Sequence, residues 1–326
     1  MALVVYFCCF LIPALRITMD THLKGEIAAL ITAVFWTITA LAFESASKKV
    51  GSLAVNILRL VLGLSFLSIY GWFTGGSFYP QGASLHNWVW LSVSGLIGFV
   101  LGDLFLFQSF TIIGARISML VMALSPPIAA ITGWIMMGER ISVQSIAGML
   151  LTLTGISLAI LGRSKNETDS LGSGNGKYNY KLKYPLKGLL FALGGAAGQG
   201  IGLVLSKYGM QDYDVFASTQ IRVITGVIGF AAVITVYGGW NRVRLAMKNA
   251  PAVRSLSLGA FFGPFLGVAF SLLSVRYTSS GIASTIMALT PVLIIAPSAI
   301  LFREKVTTRE IAGAVIAVIG VSLFFI

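Results

Sequence analysis

Residues 117–161 occur twice. Shifted by 165 positions, the segment returns as residues 282–326. Met122-Ala-Leu-Ser-Pro126 reappears as Met287-Ala-Leu-Thr-Pro291, and Glu139-Arg140 as Glu304-Lys305. Gly148 and Gly155 return as Gly313 and Gly320, and Ser157-Leu158 as Ser322-Leu323. Each copy is an apolar run with a proline inside, a charged pair, then a second apolar run studded with glycine. That pattern reads as two membrane-crossing helices joined by a very short turn. The duplication reaches further back: Lys24-Gly25 matches Lys187-Gly188 and Arg59 matches Arg222, both at a shift of 163, while Leu101-Gly102 matches Leu266-Gly267 at 165. Two long repeats must therefore fold alike and pack together.

Composition agrees with a membrane setting. Of the 326 residues 56% are hydrophobic and only 10% charged, and the mean hydropathy is +0.89. A soluble domain carries about 25% charged residues. The net charge of +12 would suggest nucleic acid in a soluble chain. Here nearly all the Lys and Arg fall between apolar runs and read as loop charges at a membrane surface. Cys8 and Cys9 are adjacent, and His22 and His86 lie in a terminus and a loop, so neither pair suits a metal or a disulfide framework. No phosphate-cradling Gly-Lys-Ser/Thr loop is present, which leaves no support for direct ATP drive. No cofactor is expected.

From Lys24 the apolar runs predict ten helices, near residues 25–43, 53–72, 88–109, 117–137, 144–162, 188–206, 215–237, 255–273, 281–301 and 308–326. Residues 1–23 form an N-terminal extension whose apolar stretch is too short to span; Met19 is the expected translation start. Residues 24–162 make the first repeat and 188–326 the second. Between them, residues 163–187 form a Gly/Ser-rich, then basic, linker. Five helices per repeat is an odd number, so the second repeat enters the membrane with opposite orientation. The expected fold is an all-α membrane protein of ten transmembrane helices in two inverted five-helix repeats, the architecture of alternating-access carriers. Lys and Arg are concentrated on the face that carries the linker, which the positive-inside rule assigns to the cytoplasm.

The Ser125-Pro126 and Thr290-Pro291 steps, Gly138-Glu139-Arg140, the glycine-rich fifth and tenth helices, and Arg59 and Arg222 together resemble the drug/metabolite transporter superfamily. The likeness is to its EamA-type two-repeat carriers, over about residues 24–326. That resemblance implies a bacterial cytoplasmic (inner) membrane location, cytoplasmic termini in conflict with the charge distribution, and export or exchange of small metabolites such as amino acids. Arg303 stands where the first repeat has Gly138, a departure from the pattern.

The ionisable residues well inside the apolar runs are Arg59, Asp103 and Arg222; such residues are costly in lipid and mark function. Arg59 and Asp103 lie at equal depth, roughly 9 Å from one face, which allows a pair. It is either a static lock between helices or a gating or proton-coupling site. Arg222 is expected near the opposite face. It either snorkels towards Asp212 and Asp214 or binds a substrate carboxylate or other anionic group. Trp36 and its repeat mate Gln199 sit roughly 18 Å deep, near the midplane, and suit an amphipathic solute. Trp36 alone reads equally as packing. Ser125, Thr290, Met122 and Met287 flank the prolines as candidate solute contacts or as packing. Pro126 and Pro291 each remove a backbone bond in mid-helix, and their matched placement favours hinges over static kinks.

Taken together, the sequence reads as a secondary transporter: a monomer in the lipid bilayer that moves a small-molecule solute, with no nucleic acid partner and no enzyme activity. A phosphate- or nucleotide-sugar exchanger would need more cations in the cavity. A membrane-embedded enzyme would need clustered acids or ligands beyond Asp103, and a scaffold gives no reason for inverted duplication.

Overall fold

The computed structural model describes residues 21–161, 185–294, 297 and 308–323. Most of the N-terminal extension, residues 163–184 of the linker and the Arg303-Glu304-Lys305 step lie outside the described residues. The described chain is helical with short connections and contains no strand. Six of its helices are long and apolar enough to cross a membrane.

The first is α1 (Thr21–Val50). Gly51, at φ 82°, turns the chain into α2 (Ser52–Gly75). Ser84 and Asn87 then form a reciprocal cap that starts α3 (Leu85–Gly95). A π-helical turn, π1 (Leu96–Gly102), leads into α4 (Asp103–Met122). The hydroxyls of Ser109 and Ser118 in α4 are hydrogen-bonded at 2.7 Å. Nine residues of straight helix would part them by roughly 13 Å, so the chain doubles back between them.

The rest of the first repeat is α5 (Ser125–Met137) and α6 (Val143–Leu161). The second repeat follows as α7 (Leu186–Met210), α8 (Val215–Val236), a short surface helix α9 (Trp240–Met247) and α10 (Ala250–Ala260). A second π-helical turn, π2 (Phe261–Gly267), sits 165 residues after π1 and leads into α11 (Val268–Tyr277). The described elements end with α12 (Ser280–Met287), α13 (Thr290–Leu293) and α14 (Thr308–Ser322).

The breaks within the run 117–137, and within its mate, differ from the expected continuous helices. The chain stops being helical at Ala123-Leu124 and again at Ala288-Leu289, and each new helix begins at the Ser/Thr-Pro step. Pro126 and Pro291 therefore do not sit in mid-helix. They occupy the first turn of a restarted helix, where a missing N–H has no partner to lose. Thr290 Oγ1 donates to the Met287 carbonyl at 2.9 Å, which satisfies one acceptor that the break sets free.

Packing is mainly between the halves. Helix α1 lies against α10, π2 and α11, and its repeat mate α7 lies against α3, π1 and α4. Helix α2 packs on α8, α5 on α7 and α12, and α6 on α14. The α6–α14 seam is built from glycine: a methyl group at Gly320 would sit 2.9 Å from the Gly148 carbonyl and 2.5 Å from the Thr152 amide nitrogen. Small residues at such seams let helices gain dispersion contact where lipid offers no hydrophobic drive.

Candidate functional site

The α7–π1 crossing places the charged groups of the bundle. Both segments carry Gly-x-x-x-Gly, as Gly98 with Gly102 and Gly198 with Gly202. A methyl group at Gly198 would stand 2.6 Å from the Gly102 Cα, and one at Gly202 would stand 3.0 Å from the Gly98 Cα. The backbones therefore touch. The wide π turn, a rare geometry concentrated at functional sites, ends at Gly102 and delivers Asp103 at the start of α4.

Asp103 is 4% exposed. Its Oδ2 forms an ion pair with Arg59 of α2, and its Oδ1 accepts a 2.8 Å hydrogen bond from the Gln199 amide of α7. The Arg59 guanidinium is held further by two rings, Phe43 at 5.6 Å and Phe107 at 5.3 Å from their centroids. Equal depth along α2 and the α3–α4 span brings Arg59 and Asp103 together. Gln199 is a third member from the other repeat, and it bonds the acid instead of facing open space at the midplane.

Arg222 lies elsewhere than its sequence depth suggested. It is buried, and its guanidinium lies over the Phe99 ring of π1 at 4.8 Å. Glycine at 98 leaves the room: a methyl there would stand 3.4 Å from Arg222 Nη2. The loop acids do not hold it. Asp214 accepts the Ala217 amide as a helix cap, and Asp212 lies 3.8 Å from Arg276. An arginine side chain spans several residues of helix rise, so its Cα depth did not fix the position of its charge.

The symmetry-related place in the second repeat is apolar. Val268 stands for Asp103 and Trp36 stands for Gln199. Trp36 packs on Gly267 at the end of π2, where a methyl would meet its ring at 2.8 Å. The bundle thus has one polar centre and one aromatic mirror image of it. Phe265 of π2 extends the mirror side against Phe66, Tyr70 and Phe216.

A second polar cluster closes the end of the bundle that carries the turn after α5. Gly138, at φ 65°, stops α5, and the Glu139 amide returns to the Gly133 carbonyl at 3.3 Å. The Glu139 side chain then folds back over Gly133. Its Oε1 accepts Lys207 Nζ at 2.6 Å and Ser280 Oγ at 3.1 Å, and its Oε2 accepts the Ser280 amide at 2.9 Å. Lys207 also donates to the Thr278 carbonyl at 2.8 Å. Three elements of the two repeats meet there. Tyr213 adds a bond to the Gln81 carbonyl at 2.7 Å. Burial, with Asp214 and Tyr79 nearby, pushes its phenol above the usual value, so it remains a donor at neutral pH.

The remaining candidates line the breaks. Ser125 is buried at the start of α5, its carbonyl close to Gly200 of α7. Thr290 Oγ1 also reaches the Ala33 carbonyl of α1 at 3.4 Å. Met287 is buried and Met122 half-buried. The Gly-x-x-x-Gly pairs, the ring partners of both arginines and the Lys207–Glu139 contact had not been singled out. The glycine spacing was the readable signal among them. No group of three metal-ligating side chains occurs among the described residues.

The EamA-like transporter family model matches residues 23–161 and again 186–326. An uncharacterized transporter of Archaeoglobus fulgidus is 30% identical over 122 residues, 37% of this chain and 41% of that protein's length. This match therefore spans about two-fifths of that relative. One crystal structure superposes with a TM-score of 0.67 at 17% identity, covering 92% of this chain and 95% of the other. That likeness is one of fold.

Proposed function

Because the chain belongs to the EamA-like transporter family and is a multi-pass membrane protein, we propose that it is a secondary carrier. It moves a small organic metabolite, such as an amino acid, outward or in exchange across the cytoplasmic membrane by alternating access. The proposed architecture is ten helices in two inverted repeats, 24–162 and 188–326, joined by the 163–187 linker. The observation that carries this reading is the buried polar centre, Arg59–Asp103–Gln199 with Arg222, assembled from both repeats where the π-helical turn before Asp103 crosses α7. Ionisable groups at such depth are retained for function, and interrupted helices at repeat interfaces are where carriers bind and gate. Solute-panel uptake and counterflow in proteoliposomes test it. A panel of amino acids, sugars, bases and amphipathic cations should include at least one solute that exchanges, and no exchange of any would sink the carrier reading.

Glu139 serves as the closing contact of its end, since its carboxylate joins Lys207 to Ser280. Glu139→Gln should keep the shape, weaken the charge-assisted bonds roughly twofold in strength, and shift the population towards opening at that end. A single cysteine at Ser284, introduced after removal of Cys8 and Cys9, should then react several-fold faster with an impermeant thiol reagent. An unchanged rate would show that the cluster is structural.

Pro126 and Pro291 keep the two breaks open, and inversion assigns them to opposite ends. Pro126→Ala supplies a donor that can reach the Met122 carbonyl and heal one break, and Pro291→Ala does the same towards Met287. The two variants should bias accessibility of a cysteine at the Glu139 end and of one at the opposite end of the bundle in opposite directions while slowing exchange more than solute binding. A shift in the same direction from both would exclude a paired hinge.

A further inference from the structure

The buried centre holds one acid and two bases. Asp103 has committed Oδ2 to Arg59 and Oδ1 to Gln199. Arg222 is 5% exposed; its Nε has no hydrogen-bond partner, and no described residue accepts a hydrogen bond from its guanidinium. Its guanidinium lies over the face of Phe99. A guanidinium presents five donors in a planar fork, and leaving the buried Nε unpaired is costly. The centre therefore carries one uncompensated positive charge when empty. A cation entering it would double the excess, a dianion would reverse it, and a singly charged anion would cancel it.

Resting on the carrier reading above, we infer that the transported solute bears one carboxylate and that Arg222 binds it. The fork of Arg222 matches a carboxylate bidentately, and Phe99 holds the guanidinium plane from one side. Arg59 is not available for this role while Asp103 occupies it. The aromatic mirror side around Trp36 and Phe265 has no comparable charge and leaves the solute's other end to apolar contact.

The test uses the full chain in proteoliposomes and in detergent, with paired probes that differ only at the acid. These are simple monocarboxylates against their amides. Acids should exchange and should raise the melting temperature of the wild-type protein, while their amides should do neither. Arg222→Gln should lower exchange of the acids by roughly 100-fold and abolish their thermal shift. Because that substitution removes an uncompensated buried charge, the empty variant should melt no lower than wild type, whereas a purely structural arginine would cost stability. If amides exchange as well as acids, the carboxylate inference is overturned and the carrier reading stands. If no probe of either kind moves, the carboxylate inference is overturned, and the carrier reading is then decided by the wider panel of sugars, bases and amphipathic cations. The wild-type comparison of acids with amides decides the matter even if the variant does not fold.

Discussion

Asp103→Asn should be the most destabilising single change in the polar centre, with a loss of roughly 3–5 kcal/mol and transport at background. The reason is charge arithmetic in a dry site. With Arg59 and Asp103 paired as ions and Arg222 charged, the wild-type centre carries one excess positive charge. Asp103→Asn raises the excess to two and leaves both arginines without an acid. Arg59→Gln instead brings the sum to zero, with Asp103 and Arg222 left as the one acid and one base of the centre. The double variant returns to an excess of one. Stability should therefore rank Arg59→Gln above the double variant and the double variant above Asp103→Asn. The coupling in the cycle should be roughly 1–3 kcal/mol. Thermal melts and counterflow on the four proteins give the measurement. Strict additivity would mean that the pair contributes nothing jointly, and Arg59→Gln melting lowest would show that its contacts with Phe43 and Phe107 outweigh charge balance.

Gly198→Leu should match that damage by a purely steric route. The first added carbon would already meet the Gly102 Cα at 2.6 Å, the Ile97 carbonyl at 2.9 Å and the Gly102 nitrogen at 3.0 Å. All three are backbone atoms, so no side-chain rotation relieves the clash. Helix α7 must move away from π1, at a cost of about 3 kcal/mol or more. Gln199, the next residue, must move with it and lose its bond to Asp103. Gly75→Leu is the matched control, because nothing lies within 4 Å of a methyl group there. Near-normal expression, melting and transport for Gly75→Leu, with collapse of all three for Gly198→Leu, is the expected result. Equal tolerance at both sites would mean that the close crossing is dispensable.

Some of this was legible from spacing alone. A helix advances by a fixed rise per residue, so residue count converts to depth, and the depths of Arg59 and Asp103 agreed before any coordinates. The Ser125-Pro126 and Thr290-Pro291 steps read as hinges inside two continuous helices, because a proline removes a backbone bond wherever it lies in a helix interior. That each helix instead stops just before the step and restarts at the Ser/Thr was not legible, since the same Ser/Thr-Pro step is compatible with a kink.

The sequence by itself determined the duplication, the all-helical membrane class, the matched depth of Arg59 and Asp103 and the match of one Ser/Thr-Pro step to its repeat mate. These follow from composition, period and rise, all properties of the chain in one dimension. Only the tertiary structure decided which helices cross and how each is rotated about its axis. That rotation brings Gln199 to Asp103, turns Arg222 inward over Phe99, folds Glu139 between Lys207 and Ser280, and leaves Trp36 and Val268 as an apolar counterpart. Rotation and neighbour choice are set by close packing between the two repeats, where glycines such as Gly102 and Gly198 admit backbone contact. Packing of this kind depends on residues a hundred or so positions apart, and no local pattern encodes it.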